Sequence, residues 1–156
     1  MKRYCKKSVG FSLLELIVVM SIMATLIGLI TINLTSAQQR ASLNTVVQNL
    51  VSDIRQQQIK AMVGDTEGRP SADEYGIHTD SNQYVLFHGA YSATEPSNFA
   101  VSLPNNMIFV TPGLDIIFSK VGGEISPPAS IQLQDTTNSN TKTIQINKYG
   151  VITSVN

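Results

Sequence analysis

The sequence predicts an α+β protein, with one long N-terminal α-helix packed on a C-terminal domain of antiparallel β-sheet. Three observations carry that expectation. No proline occurs before Pro70, and Gly28 is the only glycine between Gly10 and Gly64. From residue 11 the hydrophobic pattern is first continuous and then spaced by three and four, as in a helix with one apolar side. Beyond Pro70 the period changes to two, in short runs separated by turn-forming residues.

Taken in order, residues 1–10 form a short leader containing Lys2, Arg3, Lys6 and Lys7. Residues 11–34 form an apolar run of about 24 residues, longer than the 7–15 of a secretory signal core and enough for a hydrocarbon core that needs about 20. On the residues alone, an uncleaved signal anchor with its basic flank on the cytoplasmic side remains one reading. A segment built for a helical bundle is the other. The orientation is the same in both, leader inside and remainder outside.

Residues 35–63 continue the helix in amphipathic form. Leu43, Val46, Val47, Leu50, Val51, Ile54, Ala61 and Met62 make an apolar stripe, while Gln48, Asp53, Arg55 and Gln56 mostly face water. Gly64-Asp65 marks the stop. A rod over residues 11–63 would be roughly 80 Å long at 1.5 Å per residue. Its first part suits a membrane or a bundle, and its second serves as a strut for a domain.

Residues 64–156 read as a β-rich domain of six or seven short strands. Tyr75-Gly76-Ile77-His78 and residues 83–88 flank Asp80-Ser81-Asn82 as a hairpin. A looser stretch with Pro96 and Pro104 follows. Residues 107–110 and 114–118 flank a second turn at Thr111-Pro112-Gly113, and Gly122-Gly123 and Pro127-Pro128 break the chain again. Ile131 and Leu133 alternate with Gln132 and Gln134, and Ile144 and Ile146 with Gln145 and Asn147. Val151-Ile152 come after the turn at Tyr149-Gly150. Antiparallel sheet packed on residues 43–62 is the expected arrangement.

The 156 residues give one domain plus an anchor. Four of the eleven basic residues lie in the leader, which leaves seven against eleven acidic side chains beyond Gly10. A general nucleic-acid binder would carry a basic face instead. Cys5, the only cysteine, lies before the apolar run, so the rest of the chain must be stabilised by its core rather than by disulfides.

Signals for catalysis are weak. There is no nucleophile elbow, phosphate loop or HExxH, and the chain reads as a non-enzyme without a cofactor. His78 and His88 sit at the ends of two expected hairpin strands and could be neighbours, yet two histidines without a third ligand make a poor metal site. Asp65, Glu67, Asp73 and Glu74 offer carboxylates for calcium but lack the ordered alternation of a calcium loop. Tyr84, Phe87, Phe109 and Phe118 are most simply core, and 135–141 most simply an exposed loop.

The functional signal is Glu15, the only charge between Lys7 and Arg40. A carboxylate at that depth costs on the order of 2.5–3.5 kcal/mol on insertion. No neighbour one turn away on either side repays it, so the partner must come from elsewhere. A cut after Gly10 would give Phe11 a free amine, and helices bundled side by side could set the amine of one against the carboxylate of the next, fixing their axial register.

A basic leader ending in Gly10, then Phe11-Ser12-Leu13-Leu14-Glu15-Leu16 and an apolar run, resembles the class III signal of type IV pilins and type II secretion pseudopilins. The resemblance implies a pilin-like fold and a prepilin peptidase that cuts between Gly10 and Phe11 and methylates the Phe11 amine. It also implies storage in the bacterial inner membrane and assembly with other pilin or pseudopilin subunits through their N-terminal helices. More loosely, Tyr75-Gly76-Ile77, residues 83–88, Leu103-Pro104-Asn105-Asn106 and residues 142–152 resemble the H-type minor pseudopilins and related fimbrial minor pilins. The chain departs from the family in having no helix-bending proline near Ile32, which implies a straighter helix with Gly28 as its weakest point, and no paired cysteines near its end, which favours a minor or pseudopilin role. An anchored β domain that captures DNA or a secreted substrate through 64–74 or 135–148 is the alternative. Residues 148–152 carry one lysine and no arginine, so nucleic acid is a doubtful partner.

Overall fold

A computed structural model describes the backbone of residues 12–156, and the side chains of 12–28 and 42–156. The chain divides into two units, Met1–Ala41 and Ser42–Asn156, and helix α1, Leu13–Val63, runs from the first into the second.

In the first unit the described side chains of 12–28 are exposed throughout, including Leu13, Leu14, Met20 and Ile27. Such a helix face has no core of its own to cover. Ser21 Oγ donates to Val18 O and Thr25 Oγ1 to Ile22 O, both at 2.8 Å, so these hydroxyls are satisfied within the helix and need no outside partner. Among the described residues no helix is long and apolar enough to cross a membrane. Of the expected span 11–34, Phe11 and the side chains of 29–34 lie outside the described residues.

The second unit is the β domain with the amphipathic part of α1. Gly64, at φ 66°, stops the helix where expected. Its left-handed backbone lets Asp65 N bond to Lys60 O (3.0 Å) and Gly64 N to Ala61 O (3.4 Å), the pair of bonds that closes a helix C-terminus over a glycine. Eight strands follow: β1 Tyr75–Thr79, β2 Gln83–His88, β3 Phe99–Ser102, β4 Met107–Phe109, β5 Leu114–Phe118, β6 Ala129–Asp135, β7 Thr141–Ile146 and β8 Ile152–Val155. They form two antiparallel four-stranded sheets, ordered β3-β2-β1-β5 and β4-β6-β7-β8.

The expected β1–β2 hairpin forms, with Gly76 opposite Phe87 and Thr79 opposite Tyr84. The turn at 111–113 differs from a hairpin turn. It carries the chain from β4, paired with β6, to β5, paired with β1, and so links the two sheets. β3 fills the stretch between Pro96 and Pro104 that reads as loose in the sequence.

One hydrophobic cluster joins both sheets to α1. From the helix come Leu43, Val47, Leu50, Val51, Ile54 and Ala61, from the first sheet Tyr75, Ile77, Tyr84, Ile116 and Phe118, and from the second Met107, Phe109, Ile131, Leu133, Ile144 and Ile146. The alternation of β6 and β7 is as expected, with isoleucine and leucine inward. Two members of the expected helical pattern differ. Met62 is exposed, and Asp53 is half-buried rather than facing water. Phe87 is buried but lies outside that cluster, against Tyr91 at a centroid distance of 5.2 Å.

Gly76 shows why β1 tolerates no side chain at that point. A Cβ there would sit 2.5 Å from Phe87 Cζ and 2.8 Å from the Ile116 carbonyl oxygen. The second obstacle is backbone and cannot rotate away. Gly76→Ala is expected to lower stability by about 1–3 kcal/mol, as overpacking does. Urea unfolding of wild type and variant checks this, and equal midpoints would contradict it.

Candidate functional site

Of the residues singled out by the sequence, Gly10 and Phe11 lie outside the described residues. Glu15 is described. It falls in the first turn of α1 and is exposed. Helix formation begins immediately after Ser12, whose carbonyl accepts Leu16 N at 3.2 Å. The order Ser12-x-x-Glu15 is that of a helix start, and a carboxylate there is stabilised by the positive end of the helix dipole by about 0.3–1 kcal/mol. This amends the reading that Glu15 gains nothing from its own helix. The gain still falls short of the 2.5–3.5 kcal/mol insertion cost.

The contrast with its neighbours is chemical. Within 12–28, the polar side chains beyond Ser12 are Glu15, Ser21 and Thr25. The two hydroxyls are closed on the helix backbone, and no described residue pairs with Glu15. An ionised carboxylate is acceptor-only and cannot bond to helix carbonyls as a hydroxyl does. Exposed as it is, it is open to a donor from outside this stretch. The arrangement can recognise a cation.

The two histidines are not neighbours. His88 stands opposite Tyr75, with ring centroids 6.3 Å apart, whereas His78 is three residues further along β1 and on the other face of the sheet. The period of two separates them. The His78 ring lies between two carboxylates, with Nδ1 2.5 Å from Asp115 Oδ1 and Nε2 3.3 Å from Asp80 Oδ1. It also stacks on Tyr91 at 3.8 Å, tying the 89–98 loop to the sheet. Burial, and then Asp80 and Asp115, raise the Tyr91 hydroxyl above its ordinary range.

The carboxylates after the helix are dispersed. Glu67 pairs with Lys60 at 2.5 Å, Asp73 lies 3.7 Å from both Arg69 and Lys120, and Asp65 Oδ1 accepts Glu67 N. Among the described residues no group of three or more His, Cys, Asp or Glu could hold a metal ion.

Sequence reasoning missed the polar groups on the apolar stripe. Gln57 is 3% exposed and lies between Ile54 and Ala61 at spacings of three and four, a position that could have revealed it. Asp53 accepts the Tyr84 hydroxyl at 2.5 Å. Burial, and then that bond, hold the Tyr84 hydroxyl well above its ordinary range, so it stays a donor.

Over residues 6–31 the chain matches the family model of the prokaryotic N-terminal methylation motif. The match takes in Gly10, Phe11 and Glu15. Such a motif implies processing by a prepilin peptidase, anchoring in a membrane and assembly with other subunits. No curated protein and no solved structure matches the chain.

Proposed function

We propose that this chain, a type IV pilin-like precursor by its methylation motif, is a minor subunit of a type II secretion pseudopilus or a type IV pilus. It is held in the bacterial inner membrane as a single-pass protein with its β domain outside the cytoplasm. Prepilin peptidase cuts between Gly10 and Phe11 and methylates the new amine. Assembly then proceeds through the N-terminal helices. The role is structural rather than catalytic.

The observation that carries this is the matched stretch 6–31, with Glu15 as its one acidic residue and without a partner among the described residues. Before assembly an ionised carboxylate can stay at the helix entrance, near water. In a bundle it meets the Phe11 amine of an adjoining helix, which pairs both charges in apolar surroundings and fixes the axial register. The resemblance of 75–77, 83–88 and 142–152 to H-type minor pseudopilins supports the minor role.

Sequencing the N-terminus of the protein from membrane and filament fractions tests the reading. A chain beginning at methylated Phe11 is expected. A filament-associated chain still beginning at Met1, in a host with the peptidase, would contradict it.

A further inference from the structure

Within the unit Ser42–Asn156, a cavity of about 340 Å³ opens between α1 and the β2–β3 edge of the first sheet. Asp53, Gln57 and Lys60 line it from the helix, and Leu86, His88 and Phe99 from the strands. The edge is incomplete there. β3 starts at Phe99, opposite Leu86, so Phe87 and His88 extend past the end of their neighbour and leave a gap in the sheet.

The polar groups in this gap are unbalanced. Gln57 is 97% buried, and its Oε1 has no hydrogen-bond partner among the described residues. A buried carbonyl left unpaired costs free energy that a donor would return. Lys60, the lysine that lines the cavity, is engaged by Glu67 at 2.5 Å. Asp53 receives one hydrogen bond, from neutral Tyr84, and among the described residues no basic side chain lies within salt-bridge distance of it. The cavity therefore offers the Asp53 carboxylate, unpaired by any cation among the described residues, with the buried Gln57 carbonyl in its wall, beside the apolar surfaces of Leu86 and the largely exposed Phe99.

We propose that this cavity is a binding site for a cationic hydrogen-bond donor on an aliphatic stem, an alkylguanidinium in preference to an alkylammonium. A planar guanidinium carries five N–H donors in a fixed fork and can address Asp53 and, once the Gln57 side chain turns its buried carbonyl toward the cavity, Gln57 with it. The stem covers Leu86 and Phe99 while the charged head is held. The same group can arrive as a free alkylguanidine or as an arginine side chain of another polypeptide, and the chemistry of recognition is common to both.

The test uses the isotope-labelled mature chain in zwitterionic detergent, titrated with agmatine, n-butylamine, butyramide and butyrate. Saturable shifts of the Gln57 side-chain amide and the Leu86 methyls are expected with agmatine, weaker ones with n-butylamine, and none that saturate with butyramide or butyrate. Asp53→Asn, which still accepts the Tyr84 hydroxyl, should weaken agmatine by about tenfold or more, the worth of a hydrogen bond to a charged group. Gln57→Met, which removes the unpaired carbonyl, should fold with an equal or raised melting temperature and likewise bind agmatine more weakly. An end-blocked Gly-Arg-Gly peptide distinguishes the sources. Its binding at the same residues points to an arginine side chain, agmatine alone to a free alkylguanidine, and both support the site. No saturable response to agmatine, an equal response to butyramide or butyrate, or an unchanged affinity in Asp53→Asn overturns it.

Discussion

Glu15→Leu should enter the membrane and be cut as the wild type is, yet be depleted from filaments by roughly a hundredfold or more. Leucine in place of a carboxylate removes an insertion cost of about 2.5–3.5 kcal/mol, so membrane levels should hold or rise. On the proposed processing the cut falls at the Gly10-Phe11 bond, whose two residues lie five and four positions before the altered one. The loss falls on assembly. An amine buried against a neighbouring helix without its carboxylate is an unpaired buried charge, which costs about 3–5 kcal/mol. At 1.4 kcal/mol per tenfold, that is a hundredfold or more in subunit affinity. Glu15→Gln separates charge from shape: it keeps an acceptor and should assemble poorly but better than the leucine variant. Quantifying the protein in membrane and sheared-filament fractions decides the matter. Incorporation of Glu15→Leu at wild-type levels would remove the register argument.

What made Glu15 legible was contrast, a single charge in a long stretch without another. The helix was legible for a related reason, since nothing between Phe11 and Val63 breaks it and Gly64 ends it. β6 and β7 could be read because one face is buried and the other wet, which writes alternation into the sequence. β3 could not. It has four residues between two prolines, three of them exposed, and an edge strand without a buried face leaves no period to detect. The 107–118 stretch looks like a hairpin because a turn is local information, whereas β4 finds its partner at residues 133–135. Such long-range pairing depends on the whole fold. Asp53 and Gln57 were assigned by residue type to the wet side or passed over. A buried polar group is recognised from its position on the stripe, and its partner, Tyr84, is 31 residues away. The cavity beside them is invisible to sequence because it arises where β3 stops short of the end of β2.

Ile54→Ala should destabilise the β domain by about 2–5 kcal/mol and melt both sheets in one step. Ile54 is wholly buried and belongs to the single cluster that takes inward side chains from each sheet. The cost has two parts, the lost transfer of three methyl or methylene groups from water and the void left among neighbours that relax only partly. The two sheets have no separate cores, and each relies on the stripe of α1 for its inner face, so a void at Ile54 weakens both. With a urea slope of about 1–3 kcal/mol per molar, the midpoint should fall by roughly 1 M or more at unchanged slope. Methyl signals of Ile77 in the first sheet and Leu133 in the second should vanish together along the titration. Ile59→Ala is the control on the same helix, since Ile59 is 58% exposed and its truncation should stay within about 0.5 kcal/mol. If Leu133 kept its native signal after that of Ile77 had gone, the sheets would be separate cooperative units and the helix would not be their common support.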